Sequence, residues 1–217
     1  MNHELVRMVT LVVVSTAASA VLQAQEPVWS VRLGAGILAA TDTSTTLDAG
    51  TSARVGGAAP VLVVDAMRRI DSCCLDVVFS VVQPSIPVTL TAAGSEMPAG
   101  RIGPTGYHLG LNYRFWRRNE TALYAEGLVG GFIPNQSEPV QIGSRQIGFR
   151  FAGAPTFGGG IGIRRRLGDP NGPNRNDRHY AFDVSMRVLH ADVPSGEHDG
   201  LNWHPFIFTA GLVVGLR

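Results

Sequence analysis

Lysine is missing from this 217-residue chain, and all 18 basic residues are arginine. A Walker-type phosphate loop needs its lysine and Schiff-base catalysis needs an amine, so both are excluded. Charge of either sign is sparse at 16% of residues and cancels to a net +1. That balance gives no reason to expect nucleic acid as a partner. Cysteine is confined to the adjacent pair Cys73 and Cys74. Neighbouring Cα atoms lie about 3.8 Å apart, below the usual disulfide range. Two unpaired or intermolecularly paired thiols are therefore expected, with a strained vicinal disulfide as the alternative in an oxidising compartment. Catalytic signatures are also wanting: there is no Gly-x-Ser-x-Gly elbow, no His-Glu-x-x-His and no Cys-x-x-Cys. No enzyme, cofactor or metal is predicted.

The one long apolar run is at the start. Arg7 closes a short polar opening, and Val9 to Leu22 is apolar and rich in small residues. This stretch is too short for a membrane-spanning helix and has the layout of an export signal. Ala20 and Ala24 are candidate cleavage positions, with Ala24 preferred because polar Gln25-Glu26-Pro27 follows. The expected division is a removed signal peptide at 1–24 and a single mature domain at 25–217.

Beyond that signal the chain repeats a period-two run followed by a turn or loop rich in Gly, Pro, Asn, Asp and Ser. Alternation at period two marks strands with two chemically different faces. In the clearest run, Tyr107, Leu109, Leu111, Tyr113 and Phe115 oppose His108, Gly110, Asn112, Arg114 and Trp116. In another, Tyr180, Phe182, Val184, Met186 and Val188 oppose His179, Asp183, Ser185 and Arg187. Similar runs start near Trp29, Leu75, Phe149 and Phe206, and less regular ones cover 54–67 and 121–133, which makes eight. Large aromatics lie towards the strand ends of the apolar face (Trp29, Tyr107, Phe115, Tyr180, Phe206), as in an interfacial girdle. The other face is glycine and small residues punctuated by single charges, which suits a cramped lumen better than a solvated surface. The fold class predicted is all-β: an eight-stranded antiparallel transmembrane β-barrel in the bacterial outer membrane. Short connections at one end alternate with longer ones at 41–52, 84–103, 134–146 and 192–202, the pattern of periplasmic turns and external loops. The polar stretch 168–178 is long for a periplasmic turn.

Several motifs resemble the OmpW family of small outer-membrane barrels. They are Pro104-Thr105, then Asn112-Tyr113-Arg114-Phe115, then Tyr124-Ala125-Glu126-Gly127, and a closing run from Trp203 and Pro205 to Gly211 and Gly215. The layout matches over nearly the whole mature chain, the motifs over about a fifth of it. The resemblance implies passive uptake or binding of small hydrophobic molecules, with outer-membrane lipids and the barrel insertion machinery as further partners. Such barrels usually end in an aromatic residue, whereas this chain ends Leu216-Arg217.

Inward positions define the candidate sites. With odd-numbered strands running up from the periplasm, inward charges gather in the lower half: Arg32, Asp65, Asp76, Arg114, Glu126, Arg164, Asp183 and Arg187. Four are basic and four acidic. Charges in a narrow barrel are costly unless paired, so a salt-bridged plug is expected. Nearer the outside the inward positions turn apolar: Val61, Val63, Val82, Leu128, Phe132, Leu189 and Ile207. They form either a binding funnel or ordinary side-chain filling, since eight strands leave room for side chains or one small ligand. Pro155, close to Gly153 and Gly158, cannot donate a ladder hydrogen bond and marks a candidate lateral gap. Three readings follow: uptake of an apolar solute; a structural or adhesion barrel with a packed lumen; and a lipid-modifying enzyme using His108 or His190 with Ser185 and Asp183. Glu197-His198-Asp199 with His204 is read as a solvated external loop rather than a metal site, because the ligand set is incomplete. The run from Gly158 to Gly162 lies inside an alternating strand and is read as close packing in the wall, not a nucleotide loop.

Overall fold

A computed structural model describes residues 29–48, 50–70, 74–92, 94–136, 140–142, 145–147, 150–151, 153–167, 180–192 and 202–216. The proposed signal peptide, Cys73, Phe149, the stretch 168–179 and Glu197-His198-Asp199 lie outside them. The described strands are β1 (Trp29–Asp48), β2 (Thr51–Arg69), β3 (Leu75–Pro84), β4 (Ile86–Ala92), β5 (Ser95–Ile102), β6 (Gly106–Arg118), β7 (Thr121–Phe132), β8 (Asn135–Gln136), β9 (Val140–Ile142), β10 (Arg145–Ile147), β11 (Arg150–Phe151), β12 (Ala154–Leu167), β13 (Tyr180–Asp192), β14 (Asn202–Trp203) and β15 (Phe206–Leu216).

Eight of them close a barrel. Neighbours run β1-β15-β13-β12-β7-β6-β3-β2, and β2 returns to pair with β1. Every pairing in the ring is antiparallel. Closure follows from the sequence because each run carries one face that needs lipid and one that needs shelter; a ring satisfies both and leaves no edge in the membrane. The apolar faces point outwards. Leu33, Ile37, Leu62, Leu109, Leu111, Val129, Phe157, Ile161, Phe182, Phe208 and Leu212 are all exposed, while Arg32, Asp65, His108, Asn112, Asp183 and Arg187 are buried. This inverts a water-soluble protein and identifies the surrounding medium as hydrocarbon.

The connections separate two ends. At the turn end Arg118 pairs with Thr121 across Asn119-Glu120, and Asn119 adopts a left-handed φ of 51°, which asparagine tolerates. Trp29 also lies at this end, paired with Leu216.

At the loop end the strands are longer than the sequence pattern suggests. The stretch 41–52, expected as a loop, continues β1 and β2 as a paired hairpin. The stretch 84–103, likewise expected as a loop, forms the hairpin β4–β5, with β4 paired to the outer part of β2. Ile86, Val88 and Leu90 alternate with Pro87, Thr89 and Thr91, a strand signal that the flanking prolines obscure. The barrel partner β3 meets β2 only as far as Val61, so β2 runs on for ten further residues, about 30 Å at strand rise. The result is a four-stranded sheet, β1-β2-β4-β5, standing beyond the barrel rim.

Three further details depart from the sequence reading. Trp116 was expected inside, but a register shift between Arg114 and Trp116 turns it outwards, 43% exposed beside exposed Phe115. The sixth barrel strand begins at Ala154; Arg150–Phe151 instead pairs with Asn135–Gln136. Cys74 is disulfide-bonded, which departs from the expectation of unpaired thiols, the other options being an intermolecular pair or a vicinal disulfide.

Candidate functional site: a filled lumen

The lower lumen is built around two buried arginines. Arg187, on β13, reaches across the barrel to Asp65 on β2 (Nη2–Oδ2 2.8 Å) and to Glu126 on β7 (Nε–Oε1 2.5 Å). Its Nη1 donates to Ser80 Oγ at 2.9 Å. Arg32, on β1, forms an ion pair with the same Asp65. Its Nη1 also donates to Asp183 Oδ1 (2.7 Å), Tyr124 Oη (2.7 Å) and Ser185 Oγ (3.0 Å). Asp183 further accepts from Tyr124 Oη at 2.8 Å and Arg164 Nε at 2.9 Å. Three arginines and three carboxylates thus form one neutral cluster spanning five strands. Neutrality and multiple hydrogen bonds are what make such burial tolerable in a low-dielectric interior.

The remaining two residues of the expected plug stand apart. Arg114 Nη2 meets Asp76 Oδ1 at 3.4 Å, and Arg69 Nε approaches the same oxygen at 3.7 Å. This looser group lies nearer the turn end, beside a cavity of about 250 Å³.

Sequence reasoning missed Tyr124, Ser80, Ser185 and Thr209 as parts of the cluster; Ser185 and Thr209 hydroxyls are 2.9 Å apart. Tyr124 is fully buried, although its neighbours on β7 are partly exposed. Space for its ring comes from Gly162 on β12, where an added Cβ would sit 2.3 Å from Tyr124 Cζ. Such a cross-strand glycine is legible only once the register Gly162↔Tyr124 is known. Gly162→Ala is expected to displace the phenol from Asp183 and Arg32 and to destabilise the barrel by about 1–3 kcal/mol, as overpacking does. Urea titration of the folded protein in detergent micelles measures it, and an unchanged midpoint would show that the ring moves aside freely.

Above the cluster the lumen is apolar and closed by side chains. Val61, Val63, Val82, Leu128, Phe132, Leu189 and Ile207 are 0–4% exposed and belong to one apolar core with Leu38, Ala154 and Trp203. Trp203, from β14, caps it: its ring centroid lies 5.1 Å from Phe132, which in turn meets His108 edge-on at 5.7 Å. The same core continues into the projecting sheet through Ala53, Val55, Val88, Leu90, Ala99 and Ile102.

Pro155 lies on the outer face inside an unbroken ladder with β7, opposite Gly131, so the wall is not open on that side. Towards β13 the pairing begins one residue lower, at Thr156↔Ala191. A missing N–H removes a bond on one side of a strand only, which is why the ladder with β7 survives.

The residues of the enzyme reading are not brought together. Asp183 and Ser185 are engaged by Arg32, whereas His108 packs against Phe132. His190 stacks on His204, with their Nδ1 atoms 2.6 Å apart, at the loop end. No nucleophile–base pair arises from these side chains.

No protein-family model matches the chain, and no curated protein sequence matches it. Solved structures do. Neisserial surface protein A (NspA) is similar at TM-score 0.54 and 14% identity, over 86% of this chain and 96% of that one. OprG from Pseudomonas aeruginosa aligns at TM-score 0.48 and 13% identity, over 87% and 96% respectively. Ail, the attachment invasion locus protein of Yersinia pestis, solved with a heparin analogue, aligns at TM-score 0.44 and 13% identity, over 87% and 99%. The closed eight-stranded ring, its lipid-facing belt and the likeness to NspA define the class: a small transmembrane β-barrel of the bacterial outer-membrane type.

Proposed function

We propose that this protein resides in the outer membrane as a closed, non-conducting barrel that serves structural or adhesive interaction through its projecting sheet. The short-turn end then faces the periplasm and the loop end the exterior. One observation carries this reading: the lumen is filled from the charge cluster to Trp203, and its apolar core runs on into the β1-β2-β4-β5 extension. A binding surface gains from such rigidity because little order remains to be imposed on contact. Val61, Val63, Val82, Leu128, Phe132, Leu189 and Ile207 act here as a packed core instead of a funnel, and the six-residue cluster with Arg114–Asp76 acts as a plug. Kinship with the OmpW family belongs to the same proposal; its motif residues Tyr124 and Glu126 both contribute to the charge cluster.

A second reading, passage of a small apolar solute, is supported by the wholly apolar character of the upper core, which would leave an apolar cavity if Phe132 and Trp203 swung aside. Proteoliposomes separate the two. The closed barrel is expected to give no permeation of an apolar solute above that of protein-free vesicles. Permeation that is abolished by Leu128→Trp would instead establish the uptake route and overturn the non-conducting one.

A further inference from the structure

The geometry points to a binding site for a small, multiply charged phosphate in the turn-end mouth of the barrel. The cavity there, of about 250 Å³, is lined among the described residues by Arg69, Arg114, Arg117, Arg164 and Arg166 against two carboxylates, Asp76 and Glu120. The neutral cluster higher up uses Arg164 on Asp183, and Asp76 is shared between Arg69 and Arg114. Positive charge therefore exceeds negative among the described lining residues even after these pairs are formed. Arg114 Nε is buried there without a hydrogen-bond partner. A buried, unmet guanidinium donor is costly, and an incoming oxyanion would meet it.

The chemistry selects phosphate. Guanidinium forks match two oxygens at once, and they do so in a cavity closed above by the charge cluster and open at the mouth. The volume suits a diphosphate or phosphorylated small molecule better than a single ion, and it is below the range of drug-sized ligands. The lining residues come from all eight barrel strands together with Glu120 of the β6–β7 turn, so an anion in solution reaches them along the barrel axis. A phospholipid headgroup folded in from the rim offers the same phosphate by another path. The site is independent of the proposed role of the loop end, because the filled lumen separates the two.

The test is calorimetric titration of the full chain, refolded in zwitterionic detergent, with pyrophosphate at constant ionic strength. Saturable one-site binding is expected. Arg117→Gln and Arg166→Gln should each weaken it roughly tenfold, the effect of losing one charge-assisted hydrogen bond, and Glu120→Gln should strengthen it. Thermal midpoints without ligand report whether each variant still folds. Competition by phosphatidylglycerol doped into the micelles would assign the pocket to a headgroup phosphate, and absence of competition to a free anion; both uphold the site. Absence of saturable heat in the folded wild type would overturn it, as would equal affinity in folded Arg117→Gln and Arg166→Gln.

Discussion

Arg187→Ala should unfold the barrel at markedly lower denaturant or temperature than the wild type. The side chain is 1% exposed and holds both Asp65 and Glu126, so its loss strands Glu126 and leaves Asp65 to Arg32 alone in a low-dielectric lumen. Breaking a buried pair by removing one partner typically costs about 3–5 kcal/mol. Arg114→Ala supplies the internal comparison. Its contact with Asp76 is longer, 3.4 Å, and the side chain is 13% exposed at the edge of the turn-end cavity, so a smaller loss is expected. Urea unfolding in micelles, followed by loss of the folded band in unheated electrophoresis, ranks the two. Planar-bilayer conductance adds a second readout, because a hole in the cluster removes part of the barrier between mouth and upper core. If Arg187→Ala matches the wild type in both, the cluster is solvated and the plug is absent.

Leu111→Arg is expected to impair insertion and folding by about 2–4 kcal/mol, the cost of an arginine on the lipid face near the bilayer midplane. Leu111 is 49% exposed and sits opposite Val77 and Gly127, well inside the ladder on both sides. Leu167→Arg provides the depth control. Leu167 is also exposed, at 46%, but it ends β12 at the turn rim and pairs with Tyr180. Arginine there can reach the headgroups, and a change of about 0–1 kcal/mol is expected. Folding yield into vesicles of defined thickness measures both. Equal yields for the two variants and the wild type would argue that water, not lipid, bathes the outer face.

Alternation alone determined much of this protein. Tyr107 to Phe115 on one face and His108 to Arg114 on the other already place a strand and assign its sides, because side chains in a strand point to opposite faces every second residue. Repeated eight times with girdle aromatics, this local pattern implied the closed barrel and which residues face inwards. It failed where one inserted residue shifts the phase, at Phe115-Trp116, and where prolines hide a hairpin, at 84–103. The partners of each inward charge were not local information. Arg187 and Asp65 are 122 positions apart, and Arg32 and Asp183 are 151 apart. Only the ring closure and its register bring them into contact. The same is true of the space that Gly162 leaves for Tyr124. Whether the upper lumen is a funnel or a core was likewise a matter of volume: the sum of Leu128, Phe132, Leu189, Ile207 and the incoming Trp203 against the bore of eight strands. A sequence lists those side chains, but packing in three dimensions decides that they fill the space.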